Sequence, residues 1–132
     1  MTDEERFEAG LKMRRAVLGD DYVNRSLASA DDFTRPLQEL VSRYCWGDIW
    51  QREGLDRKQR SLINLSMIAA LNRPHELKLH VRGALNNGVT REEIREVFLQ
   101  VGIYCGVPAS LDAFRVAKEA FAEADKENGK SA

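Results

Sequence analysis

Apolar residues recur every three to four positions along almost the whole chain, and no segment alternates in twos. That periodicity leaves helix packed on helix as the fold class, and the expected architecture is an all-α, single-domain helical bundle. Local signals divide the pattern into helices. Glu4 to Leu18 carries Phe7, Leu11, Met13, Val17 and Leu18 on roughly one face and meets a stop at Gly19. A short helix through Tyr22, Val23 and Leu27 is expected next. Asp31, Asp32 and Thr34 offer N-caps, and Pro36 suits the first turn, for a helix through Leu37, Leu40, Val41, Tyr44, Trp46 and Trp50 that stops before Gly54. Asp56 can cap a helix from Arg57 to Leu71.

At Arg73-Pro74 the residue before proline is pushed out of the helical region, so a new helix is expected from Pro74 to Leu85, ending at Asn86-Asn87-Gly88. Turn chemistry is enough to explain that last tripeptide. Thr90 and Glu93 have capping-box spacing and open a helix through Ile94, Val97, Phe98, Val101 and Tyr104, closing at Gly106. Pro108 starts the last helix, in which Leu111, Phe114, Ala117 and Phe121 recur at helical spacing. The polar tail from about Asp125 is expected to fray.

The stretch Ser61–Leu71, SLINLSMIAAL, is apolar on more than one face, as in a helix buried on several sides. In a chain of 132 residues, read as one domain over 1–132, such burial points to a neighbouring subunit and a homo-oligomer. No apolar run approaches the roughly 18 residues of a membrane span. The acidic start lacks the basic region of a signal peptide, so the cytoplasm is the expected location. Lysine plus arginine number 20 against 21 acidic residues, a formal charge of -1, which removes the electrostatic footprint of a general nucleic-acid binder.

Few residues offer chemistry. His75 and His80 are five apart, a rotation of roughly 140°, so they cannot face one metal from the same helix, and no metal site is expected. Arg73, Glu76 and His80 share a helix face. Such a stripe could position an imidazole, with the carboxylate favouring its charged form and the arginine disfavouring it; the same spacing fits a solvated ion pair worth about 0.5 kcal/mol or less. Trp46 and Trp50, one turn apart, suit a core or interface stripe or an apolar wall that keeps water from a reacting carboxylate. Arg57, Lys58 and Arg60 crowd a helix start, where cations oppose the dipole; they fit either an anionic ligand or a solvated face. Cys45 and Cys105 form neither a disulfide framework nor a metal knuckle, and are expected to be small buried hydrophobes.

Taken in order, YCWGDIWQREGLDRKQRSL, MIAALNRPHELKLHVRGALNNGVTREEIREVFLQ and YCGVPASLDAFRVAKE resemble the carboxymuconolactone decarboxylase family, from about Leu37 to Glu119. The wider group, alkylhydroperoxidase D-like proteins, is all-helical and oligomeric, often trimeric or hexameric. Its redox branch carries Cys-x-x-Cys-x-x-x-His. Laid onto this chain, the histidine matches His80 and the cysteines fall on Arg73 and Glu76, while a proton-relay glutamate falls near Ser61. Without those thiols there is no disulfide cycle.

The resemblance implies cofactor-free decarboxylation of a lactone dicarboxylate, 4-carboxymuconolactone, to the β-ketoadipate enol-lactone plus CO2 in protocatechuate catabolism. The substrate is its own electron sink, because the pair left by CO2 delocalises through the ring double bond onto the lactone carbonyl oxygen. His80 is expected to deliver the proton, with Glu76 orienting it. Arg57, Arg60 and Arg73 are candidates for the carboxylates and Trp46 for an apolar wall. The alternatives are a thiol-dependent peroxidase of the same fold and a self-associating scaffold without catalysis.

Overall fold

The computed structural model describes residues 1–129, and among them every regular element is helical. The chain forms two compact units, Met1–Arg57 and Lys58–Ala132. Residues 130–132, the end of the tail expected to fray, lie outside the described residues.

In the first unit, α1 (Asp3–Leu18) opens where the Thr2 hydroxyl accepts from the Glu5 N–H and ends at Gly19, whose φ of 92° only glycine adopts readily. α2 (Asp20–Ala28) follows. The Asp31 carboxylate then accepts from the backbone N–H groups of Phe33 and Thr34 and turns the chain into α3 (Arg35–Leu40), with Pro36 in its first turn. The single helix expected from Leu37 to Trp50 is not one helix. After Leu40 the chain widens into a π-helical segment, Val41–Trp46, then turns and makes a 3-10 turn at Ile49–Gln51. The cause is close backbone packing on α1. A Cβ added at Gly10 would sit 1.8 Å from the Ser42 carbonyl oxygen, and one at Gly47 would sit 2.2 Å from that of Arg6. Trp46 and Trp50 still meet, stacked with centroids 4.8 Å apart, and are buried with Val17 in this unit's core. Arg14 is buried as well, donating to Gln38 Oε1 and Ser26 Oγ.

The second unit holds α4 (Arg57–Leu71, counted from Lys58), α5 (Pro74–Asn86), α6 (Arg91–Cys105) and α7 (Val107–Glu127). The α4–α5 break comes where Arg73-Pro74 required it, with Asn72 at φ 57° making the left-handed stop. The Thr90–Glu93 capping box is formed in both directions. Leu65, Ala69, Leu77, Val81, Phe98 and Val116 are among the residues of one core. On α7, Ala117 is buried and Phe114 and Phe121 pack against the core as their spacing implied, but Leu111 does not. Leu111 points outward, and the buried residues are Ser110, Ala113, Val116, Ala117 and Ala120. These small side chains let α7 approach α6, where Ser110 Oγ donates to the Phe98 carbonyl at 2.7 Å and lies against Gly102. Asp125 to Glu127 do not fray. They complete α7, and Arg82 and Arg91 on α5 and α6 pair with Glu127 and Asp125. No helix among the described residues is long and apolar enough to cross a membrane.

Candidate active site

Glu76, His80, Gly83 and Asn87 follow one another along a single face of α5, since steps of about 100° bring His80 and Asn87 within about 20° of each other. The neighbouring face, Leu77, Val81 and Ala84, is buried in the core. His80 therefore sits half-buried at the core's edge, while His75 is exposed. Arg73, held out of the helix at φ -114° and ψ 81°, precedes the stripe.

Burial governs the charge of His80. Desolvation pulls its pKa below 6.5, and the Glu76 carboxylate one turn away opposes this without overcoming it. Burial thus favours the neutral imidazole in the free chain. Spacing identified Glu76 as an influence on that charge, but burial was not readable from it.

The structure joins Asn87, read from sequence only as turn chemistry, to Ser61 on α4. Asn87 Nδ2 donates to Ser61 Oγ at 2.9 Å, tying the start of α4 to the end of α5, and Ser61 is 3% exposed. The signal was present, since Asn87 lies two turns beyond His80, but turn chemistry explained it sufficiently.

That bond makes α4 and α5 an antiparallel pair. Arg60, next to Ser61 and half-buried, stands at one end of α5 and Arg73 at the other, about 20 Å apart along the axis with His80 midway. Lys58 pairs with Glu93 at 3.1 Å, so the capping box employs this member of the basic cluster. Arg57 is exposed and falls, with Trp46, in the first unit.

The cysteines are not the buried hydrophobes expected: Cys45 and Cys105 are both free and exposed. Cys105 closes α6 at the rim of a groove, and Cys45 sits on the outer side of the π-helical segment. Although Cys45 reaches solvent, its surroundings desolvate the thiol and raise its pKa, against the weaker opposite pull of Arg14. Among the described residues no three His, Cys, Asp or Glu side chains come together as a metal would need.

Between α4 and α6 runs an apolar groove of about 440 Å³, lined by Leu62, Met67, Val97, Val101, Tyr104 and Cys105 among others. Ile63, Met67, Leu99, Ile103 and Tyr104 on the same two helices are exposed, the last two at 81%. The apolar surface expected of α4 is thus present and uncovered in the single chain.

Residues 35–119 match the carboxymuconolactone decarboxylase family. The chain belongs to this family. It is 45% identical over 121 residues to a 4-carboxymuconolactone decarboxylase of Acinetobacter baylyi, covering 92% of this chain and 90% of that one. It is 50% identical over 113 residues to a nitrosuccinic acid decarboxylase of Metarhizium robertsii, covering 86% and 79%.

Proposed function

We propose that the chain is a cytoplasmic, self-associating carboxy-lyase that converts 4-carboxymuconolactone to the β-ketoadipate enol-lactone and CO2 without a cofactor. The observation that carries this reading is the 45% identity to a 4-carboxymuconolactone decarboxylase over nearly the full length of both chains. We read residues 1–132 as one functional domain, because the family match at 35–119 begins in one unit and ends in the other.

The chemistry assigns roles to the α5 face. When the C–CO2 bond breaks, its electron pair passes through the ring double bond onto the lactone carbonyl oxygen, and a ring carbon then takes a proton. His80 is the donor. Burial favours its neutral form in the free chain, whereas the two carboxylates of an incoming substrate favour imidazolium, so substrate binding promotes the acid form. Glu76 supports that charge. Arg73 and Arg60, at the two ends of the face, suit the two carboxylates of a dianion. Arg57 and Trp46, in the other unit, are assigned to a carboxylate and to an apolar wall on sequence grounds.

Self-association is read from the exposed apolar side chains of α4 and α6, which a second copy would cover; a trimer or hexamer is the expected assembly.

A second substrate is favoured by the 50% identity to a nitrosuccinic acid decarboxylase. A nitro group accepts the electron pair left by CO2 as the vinylogous carbonyl does, and both substrates carry two carboxylates. The experiment offers the purified protein enzymatically generated 4-carboxymuconolactone and, separately, nitrosuccinate, and follows substrate loss and CO2. Faster turnover of the lactone supports the first reading. Turnover of nitrosuccinate alone supports the second.

A further inference from the structure

We propose that the α4–α6 groove of one copy receives the α3 face of a second copy, so that copies meet head to tail rather than groove against groove. The inference rests on the self-association reading above and names the surface that covers the groove.

α3 is inside out for a helix of a lone chain. Its inward side chain is polar: Gln38 accepts from the buried Arg14 and donates to Ser26 Oγ. Its outward side chains are apolar, with Leu37 59% exposed and Leu40 54%. Phe33, in the turn before them, is 92% exposed. Asp31 holds that turn, its carboxylate accepting from the Phe33 and Thr34 N–H groups and from the Thr34 hydroxyl. A surface helix ordinarily keeps its apolar stripe inward. Here polar contacts hold the inner side and the apolar stripe faces out.

Phe33, Leu37 and Leu40 have the i, i+4, i+7 spacing of a helix that lays an apolar face in a groove. The α4–α6 groove suits such a face, because its lining holds no Asp, Glu, Lys, Arg or His. At roughly 200 Å² for a fully exposed large side chain, these three together with Ile63, Met67, Leu71, Ile103 and Tyr104 expose on the order of 1,000 Å². Interfaces are a little over half apolar, so the full contact would bury about 1,800 Å², inside the range of about 1,200–2,000 Å² for specific, stable pairs.

Charge favours this pairing over the alternatives. Residues 1–57 carry 9 Lys and Arg against 12 Asp and Glu, and residues 58–132 carry 11 against 9, formal charges of -3 and +2 that add to the chain's -1. α3 on a second copy's groove brings opposite signs together, whereas groove on groove or stripe on stripe brings like signs together. Each added copy leaves one α3 face and one groove free, so copies add until a ring closes.

The test is sedimentation of wild type, Leu37→Asp, Ile103→Asp and an equal mixture of the two variants, with helicity recorded for each. Both substitutions fall on exposed side chains. Each variant alone should sediment near 15.0 kDa, because every contact has lost one of its two faces. The mixture should form a species of twice that mass, since the Leu37→Asp chain keeps its groove and the Ile103→Asp chain keeps its stripe. Either variant assembling like wild type would overturn the proposal, and so would a mixture that stays at 15.0 kDa. If Leu37→Asp loses helicity, Phe33→Asp takes its place, at a side chain outside α3. A wild type found only at 15.0 kDa would sink the self-association reading and this inference with it, whereas an assembled wild type with an equally assembled Leu37→Asp would sink this inference alone.

Discussion

Glu76 and His80 stand one turn apart on α5, yet the carboxylate does not decide the charge of the imidazole; burial of His80 outweighs it and holds the pKa below 6.5. In the proposed reaction, an arriving dianion favours the protonated ring. By NMR, the His80 ring should titrate below 6.5 in the free protein, and Glu76→Gln should move it lower still by removing the opposing charge. A saturating unreactive dicarboxylate lactone should move it upward. An upward shift in Glu76→Gln would contradict the assignment. The sign carries over to stability. The unfolded chain takes up this proton first as pH falls, so the stabilisation from neutral His80 is present above the unfolded pKa and is lost as pH drops through the lowered folded value.

The exposed thiols should be dispensable. Cys45→Ser and Cys105→Ser should each keep turnover within a few-fold of wild type and shift the unfolding midpoint little, because neither side chain fills the core. With its pKa raised, Cys45 should react slowly with a thiol reagent at neutral pH despite its exposure. A loss of several powers of ten in a folded variant would restore the thiol-dependent peroxidase reading.

The apolar surface of α4 and α6 should be covered in solution. Sedimentation at micromolar concentration should give a species well above 15.0 kDa, and Ile103→Asp, at a side chain 81% exposed in the single chain, should shift the distribution down toward 15.0 kDa. A wild type sedimenting only at 15.0 kDa would contradict this.

Gly10→Ala should destabilise the first unit. The added methyl would lie 1.8 Å from the Ser42 carbonyl oxygen, a backbone atom that cannot turn aside, so α1 has to move off the π-helical segment. Urea denaturation should show a loss of about 1–3 kcal/mol or more, as in other overpacked cores. A neutral substitution would mean that this contact does not hold the segment in shape.

That contact also marks how far the sequence could be read. The capping box at Thr90, the break at Arg73-Pro74 and the stop at Gly106 are local, so the sequence states them directly, and the structure has all three. The π-helical segment is not local. The four-residue spacing of Trp46 and Trp50 fits either a helix or a widened turn, and the choice is made by Gly10 and Gly47 bringing backbones together across the unit. Leu111 has the period of a core residue, but periodicity does not say which face is inward when small residues on the next face pack closer. At the site, Glu76 and His80 share a face of α5 as their spacing implied, whereas Arg73, at φ -114° and ψ 81°, stands outside the helix. The Ser61–Asn87 bond does not follow from spacing, because it joins residues 26 positions apart through a fold that sequence spacing does not describe.

The central claim is that this chain releases CO2 from 4-carboxymuconolactone with His80 as the proton donor, and kcat of His80→Gln beside wild type tests it most directly. Wild type should turn the lactone over. His80→Gln, with its oligomer intact, should be slower by about two to four powers of ten, the usual contribution of a positioned general acid, while His75→Ala changes kcat by a few-fold at most. A His80→Gln variant near wild-type kcat would mean that the proton comes from elsewhere, and would contradict the account.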